Sequence, residues 1–294
     1  MTAFYKRIVQ ALVAAAYPQR CLVCGTFRPG ANARNDDRRV KSNRPFFKRM
    51  GTFAPDTAAL PTLDPETWNF NNLMRPYVCR ACRATYTPIR PPLCRRCGML
   101  FKSRAGTNHL CGACLSRPGR YTMARAVGVY EQVLMEVVHH FKYRGKIQLA
   151  GPLGRCLFAE FIRHWGAQAV DVIVPVPLHY KRFRQRGFNQ AFLLVKEWRK
   201  LAFALGLAQP AFRVDPFVLE RQRRTAPQSG LGRKKRQANL RKAMAVAKTQ
   251  NVQGQHALIV DDVYTTGATA DECARVLLEK GAERVDILTL ARVL

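Results

Sequence analysis

Residues 258–269 read Leu-Ile-Val-Asp-Asp-Val-Tyr-Thr-Thr-Gly-Ala-Thr. An apolar run stops at two carboxylates and gives way to a small, hydroxyl-rich loop. Residues 270–280 then set Ala274, Val276, Leu277 and Leu278 on one side of a helix. Residues 257–260 are therefore expected as a buried parallel strand, with the loop between its carboxyl end and the helix's amino end. The first N–H groups of a helix have no partner inside it. Thr265, Thr266, Gly267, Ala268 and Thr269 are thus candidates to cradle a phosphate through N–H and hydroxyl donors. Gly267 admits close backbone approach. Asp261 and Asp262, one step earlier, suit ribose hydroxyls or a hydrated Mg²⁺.

Around this stretch, 294 residues with 48% hydrophobic content suffice for one α/β domain and a smaller module. The outlying property is charge: 49 Lys and Arg against 19 Asp and Glu give +30, with a pI near 10.6. Residues 1–120 hold 21 basic and 5 acidic residues, and residues 181–242 hold 17 and 3, so two basic blocks flank a nearly neutral scaffold. Such a field favours polyanions, nucleic acid or an anionic membrane surface, unless it reflects only a generally basic proteome. No run approaches the roughly 18 to 20 apolar residues needed to span a bilayer. Lys6-Arg7 before the apolar residues 8–17 has some features of a signal peptide. Phe4, Ile8, Leu12 and Ala16 recur at helical spacing, however, so a short docking helix is expected rather than an export signal.

Eight of the ten cysteines form four Cys-x-x-Cys pairs: Cys21/Cys24, Cys79/Cys82, Cys94/Cys97 and Cys111/Cys114. A two-residue spacer lets both thiolates reach one tetrahedral ion, so four pairs read as about two structural Zn²⁺ sites. Disulfides or redox motifs do not explain four pairs in succession. The last two pairs, 13 residues apart, have a normal ribbon spacing. Joining the first two closes a much longer loop, and an interleaved pairing stays open. His109 is a substitute ligand that eight thiolates make unnecessary, and Cys156 and Cys273 read as buried structural residues.

The chain divides into a zinc-binding module over 1–120, with an insertion at 26–75 expected to be largely disordered, and a second domain over 121–294. In the second domain 124–130 reads as a strand, 133–143 and 149–165 as helices, and 171–179 as a buried strand stopped by two prolines. A basic loop with Lys181, Arg182, Arg184 and Arg186 follows, then helical periodicity over 188–205 and a last strand at 284–290. Alternating strands and helices of this kind predict an α/β fold, a mainly parallel sheet with helices on both faces.

The thirteen residues from 257 to 269 resemble the phosphoribosyl pyrophosphate (PRPP) motif of the type I phosphoribosyltransferases. Four Cys pairs are followed in order by Phe141-Lys-Tyr-Arg-Gly145, Val174-Pro-Val-Pro-Leu-His179, Arg186-Gly-Phe-Asn-Gln190, Arg224-Thr-Ala-Pro-Gln-Ser-Gly-Leu231 and the 260–269 motif. As a set they resemble the ComF family over residues 1–25 and 76–294; the 26–75 insertion departs from it. The resemblance implies a type I phosphoribosyltransferase-like domain behind a zinc module and a cytoplasmic role in DNA uptake during natural transformation. A competence-machinery protein such as a DNA-uptake helicase is then an expected partner. It also implies a PRPP site at Asp261, Asp262 and 265–269, and a pyrophosphate loop at Leu178, His179 and Arg182.

Two functional readings stand. In the first, the fold binds PRPP while the basic blocks hold single-stranded DNA, with Phe101, Tyr143, Phe183 and Phe188 as stacking rings or ordinary core residues. In the second, Asp261, Asp262, Arg182 and Arg186 catalyse phosphoribosyl transfer to a nucleobase or related acceptor, with Mg²⁺ and basic side chains neutralising the pyrophosphate. Arg224, Gln228, Arg233, Lys234, Lys235 and Arg236 then form a mobile lid, a DNA-binding face, or a solvated basic surface.

Overall fold

The computed structural model describes residues 20–27, 65–103, 105–166, 169–207, 211–222 and 243–294. The expected docking helix near the N-terminus, most of the 26–75 insertion and the six residues read as a lid or DNA-binding face, Arg224, Gln228 and 233–236, lie outside the described residues.

Among the described residues seven strands are formed in chain order: β1 (Ala124–Val129), β2 (Val172–Pro175), β3 (Arg213–Val214), β4 (Leu219–Arg221), β5 (Met244–Val246), β6 (His256–Tyr264) and β7 (Arg284–Arg292). Five make one sheet in the order β1-β7-β6-β2-β3, every pair parallel. β4 and β5 pair as a separate antiparallel ribbon. The long central strands β6 and β7 run in register from His256↔Arg284 to Tyr264↔Arg292.

A strand buried on both faces needs apolar residues at every position, sorted by parity. Leu258, Val260, Leu288 and Leu290 join one core. Ala257, Ile259, Val285 and Ile287 join the other. The first core is roofed by the helices Gln132–Tyr143, Ala150–Trp165, Gln190–Val195 and Trp198–Ala204. At its centre Phe161 and Trp198 stack 5.2 Å apart. Gly154 lets two of these helices touch, since a Cβ there would sit 2.4 Å from the Leu194 carbonyl oxygen. The second core is covered by the helix Ala268–Glu279, the β4–β5 ribbon and the last two Cys pairs.

Several expectations need correction. Disorder does not hold for 65–75: a 3₁₀ turn at Pro65–Thr67 leads into the helix Phe70–Leu73, and Trp68, Phe70, Leu73 and Met74 are buried in the first core. Trp68 packs on Phe158 at 6.1 Å. The segment is too short for periodicity to announce it, and its order comes from the helix it covers. β6 does not stop at Val260 but carries both aspartates to Tyr264, because β7 offers paired backbone that far. The expected basic loop is the helix Tyr180–Arg186, capped by His179 and ended by the left-handed Gly187. It lacks a buried apolar face, the signal that sequence periodicity depends on. The expected helix over 188–205 is two short ones broken at Lys196–Glu197.

Candidate functional site

An open cleft of roughly 1550 Å³ lies outside the carboxyl ends of β2, β6 and β7, where open parallel sheets take ligands. Its floor is the 264–267 turn. Gly267 has φ +78° and caps the helix Ala268–Glu279. A Cβ at Gly267 would lie 2.2 Å from the Tyr264 hydroxyl, so both conformation and space require glycine. Thr265, Thr266, Gly267 and Thr269 line the cleft, while Ala268 is buried and offers its backbone alone. Thr266 Oγ1 is buried with no hydrogen-bond partner among the described residues.

Asp261 and Asp262 also line the cleft, yet their surroundings differ. Asp262 is 8% exposed and ion-paired with Lys142, Nζ to Oδ1 at 2.7 Å. Asp261 is half-buried, and its Oδ1 accepts from the backbone N–H of Asp262 at 2.8 Å. Burial, then the adjacent Asp262 carboxylate, push Asp261 up to about 7 against the opposing charges of Lys142 and Arg221. Lys142 was missed as a site residue. The only sequence signal for it is its place in Phe141-Lys-Tyr-Arg-Gly145, since 120 residues of chain separate it from its partner.

On the opposite wall, Leu178, Arg182 and Arg186 face the cleft. The Arg186 guanidinium also covers the Tyr143 ring at 4.7 Å. His179 departs from expectation: it is not part of the cleft wall, and its Nδ1 accepts the Lys181 backbone N–H at 3.2 Å, making it a helix cap. Arg221, Asn189 and Gln190, which the sequence reading left out, complete this side. Of the four candidate stacking rings, Tyr143 and Phe183 are exposed. Phe188 packs on Phe141 in the first core, and Phe101 stacks on His109 at 3.9 Å.

The cysteines settle the pairing sequentially. Cys21, Cys24, Cys79 and Cys82 form one cluster, and Cys94, Cys97, Cys111 and Cys114 another, with ligand atoms within 4.8 Å of one another in each. All are free thiols. Two sulfurs about 2.3 Å from one tetrahedral ion should be ~3.8 Å apart. The Cys24–Cys79 and Cys97–Cys111 sulfur pairs are each at 3.7 Å. Backbone N–H groups of Cys79, Cys97 and Cys111 point at Cys21 or Cys94 sulfurs at 3.3–3.5 Å, as thiolates require. Both clusters fit Zn²⁺, and His109 belongs to neither.

The second cluster forms one wall of the cleft. Arg292, at the end of β7, donates from Nη1 to the Cys97 carbonyl and from Nη2 to Cys97 Sγ at 3.5 Å. Its guanidinium lies over the Tyr264 ring at 4.4 Å. The Tyr264 and Tyr121 hydroxyls are hydrogen-bonded at 2.5 Å. Arg120 holds the Asp271 carboxylate through its backbone N–H and Nη1, each at 2.7 Å, in the first turn of the helix Ala268–Glu279. Among the described residues no helix is long and apolar enough to cross a membrane.

Comparison with known proteins accords with this architecture. The Phosphoribosyl transferase domain family matches residues 207–294, and the Double zinc ribbon domain family matches residues 74–115. The chain is 37% identical over 220 residues to DNA utilization protein YhgH of Salmonella typhimurium, covering 74% of this chain and 91% of that protein. It is 28% identical over 228 residues to Competence protein F of Haemophilus influenzae, covering 73% and 96%. Against Competence protein ComFC of Bacillus subtilis it is 29% identical over 235 residues, covering 77% and 89%. With two Cys₄ clusters followed by a parallel sheet that carries the 265–269 strand-to-helix turn, the chain belongs to the ComF family, a phosphoribosyltransferase-type domain carrying a double zinc ribbon.

Proposed function

We propose that the cleft binds PRPP and that the protein acts on single-stranded DNA in the cytoplasm during DNA uptake in natural transformation. The observation carrying the first half is Thr266, a buried hydroxyl without a partner among the described residues, beside the left-handed Gly267 at a helix N-terminus. Such a hydroxyl costs free energy until an acceptor arrives, and a phosphate oxygen supplies one. Thr265, the Gly267–Thr269 backbone and Thr269 would complete the 5-phosphate seat. Asp261 and Asp262 would take the ribose hydroxyls. Leu178, Arg182 and Arg186 would meet the pyrophosphate, where Mg²⁺ would neutralise charge. The second half rests on the names of the relatives, two of them competence proteins and one a DNA utilization protein. It also rests on exposed Tyr143, Tyr180 and Phe183 among arginines. The basic 224–236 segment would add phosphate contacts, and a DNA-uptake helicase is the partner this role suggests.

Calorimetric titration with PRPP and Mg²⁺ tests the site, and no heat of binding would end the reading. Single-strand affinity should fall with salt at a slope of about −0.7 per neutralised phosphate, flattened by Ala at Arg233, Lys234, Lys235 and Arg236. A second reading, turnover to a nucleobase acceptor, is favoured by Asp261, which near pH 7 is poised to exchange a proton. Pyrophosphate release over a panel of bases separates the two, and PRPP binding without release leaves a ligand-responsive DNA binder.

A further inference from the structure

Two adjacent carboxylates near the carboxyl end of β6 invite a divalent cation, but this chain has already placed a cation there. Lys142 stands in the last turn of the Gln132–Tyr143 helix. Its neighbours Val137, Val138 and Phe141 are fully buried, which fixes where the ammonium emerges. Nζ lies 2.7 Å from Asp262 Oδ1, with the two side chains only 14% and 12% exposed. An ion ligated by that oxygen would sit about 2.1 Å from it and meet the ammonium at close range. Burial alone would lower the Lys142 pKa, but the Asp262 charge and hydrogen bond raise it, so the ammonium keeps its proton. The Asp261 pKa is also raised, to about 7, by burial and the adjacent Asp262 carboxylate, so Asp261 is a weak competitor for metal. A vicinal diol meets none of this opposition. Its hydroxyls donate to the free carboxylate oxygens, and an ammonium with three donors has two left for the diol's lone pairs.

We propose that Lys142 is a built-in counter-ion that excludes a divalent metal from the Asp261–Asp262 pair and makes the pair a metal-independent seat for the vicinal hydroxyls of ribose. This rests on the reading of the cleft as a ribose-phosphate site. It confines Mg²⁺ to the pyrophosphate of the ligand.

Two titrations on the zinc-loaded full chain decide it. In the first, Mn²⁺ alone is followed by electron paramagnetic resonance. Wild type should show no site at the pair, whereas Lys142→Met should gain one Mn²⁺ at least about tenfold tighter than any wild-type binding. The added site should vanish in Lys142→Met with Asp262→Asn, and Lys142→Arg should exclude Mn²⁺ like wild type. Equal Mn²⁺ binding by wild type and Lys142→Met overturns the counter-ion. In the second, ribose 5-phosphate should bind wild type equally with and without Mg²⁺, and Lys142→Met should bind it well only with Mg²⁺. A Mg²⁺ requirement in wild type overturns the metal-independent seat. Failure of ribose 5-phosphate to bind either protein overturns the ribose reading itself, while the Mn²⁺ result still judges the exclusion. Zinc content and thermal melting confirm that each variant is folded.

Discussion

The two Cys₄ clusters have the same ligands and the same spacer, but they occupy different surroundings. In the first, Cys24 is exposed and Cys79 and Cys82 half-buried, while Cys21 reaches into the apolar core beneath the helices. It joins chain segments 55 residues apart and touches nothing in the cleft. In the second, Cys94, Cys97 and Cys114 are buried, and Cys97 meets Arg292 from the last strand. Burial pushes thiols up in both clusters, but at one cysteine of each hydrogen bonds outweigh it: Thr26 brings Cys24 down to about 6, and the backbone N–H groups of Cys111 and Cys97 bring Cys94 to about 6. Identical ligand sets thus serve as a staple in one place and as a wall of the cleft in the other. What separates them is the neighbour each cluster packs against.

Removing both metals should have the largest effect, since a structural zinc contributes roughly 10 kcal/mol or more of apparent folding free energy. Elemental analysis should find about two zinc ions per chain, and a chelator should expose residues 74–115 to protease. Release into a chromogenic chelator should be biphasic, the first cluster leading because Cys24 is exposed. Loss of the fast phase in Cys24→Ser would confirm that order, and loss of the slow phase would reverse the comparison.

Next in size is Gly267→Ala, which adds about 1–2 kcal/mol of left-handed strain and a clash with Tyr264. PRPP affinity should fall about 100-fold with zinc content unchanged. A smaller loss is the signature of a loop that tolerates rearrangement.

Arg292→Met tests whether the second cluster matters to the 265–269 loop at all. It removes the contacts to Cys97 and the cation over Tyr264, worth on the order of 1 kcal/mol each. Both zinc ions should stay, and PRPP affinity should drop about tenfold. Unchanged affinity would make the two clusters equivalent staples.

The smallest effect concerns pH. Asp261 has its folded pKa raised from 3.8 to about 7, so between those values the native state binds more protons than the unfolded chain. Its contribution is therefore fully present at low pH and is lost as pH rises toward and through 7. Asp261→Asn should melt at the same temperature as wild type below about pH 4 and a few degrees higher above pH 7. No pH-dependent difference between the two would show that the half-buried carboxylate is solvated.

Local order was legible in the chain. The strand-loop-helix around Asp261 and Gly267 is encoded by adjacent residues: an apolar run that must be buried, then small polar residues that free the N–H groups of a helix start. The Cys-x-x-Cys spacers announced metal clusters, because two thiolates one turn apart converge on one ion whatever the rest of the fold does. Packing at a distance was not legible. Which pairs share an ion, whether Trp68 is core, that Lys142 holds Asp262, and that Arg292 reaches Cys97 across 195 positions all depend on where the sheet brings remote segments together. Periodicity reports only the face a residue turns toward the core. Charge pairing across the cleft comes from the register of β6 with β7 and the angle of one helix end, and the tertiary structure alone decides both.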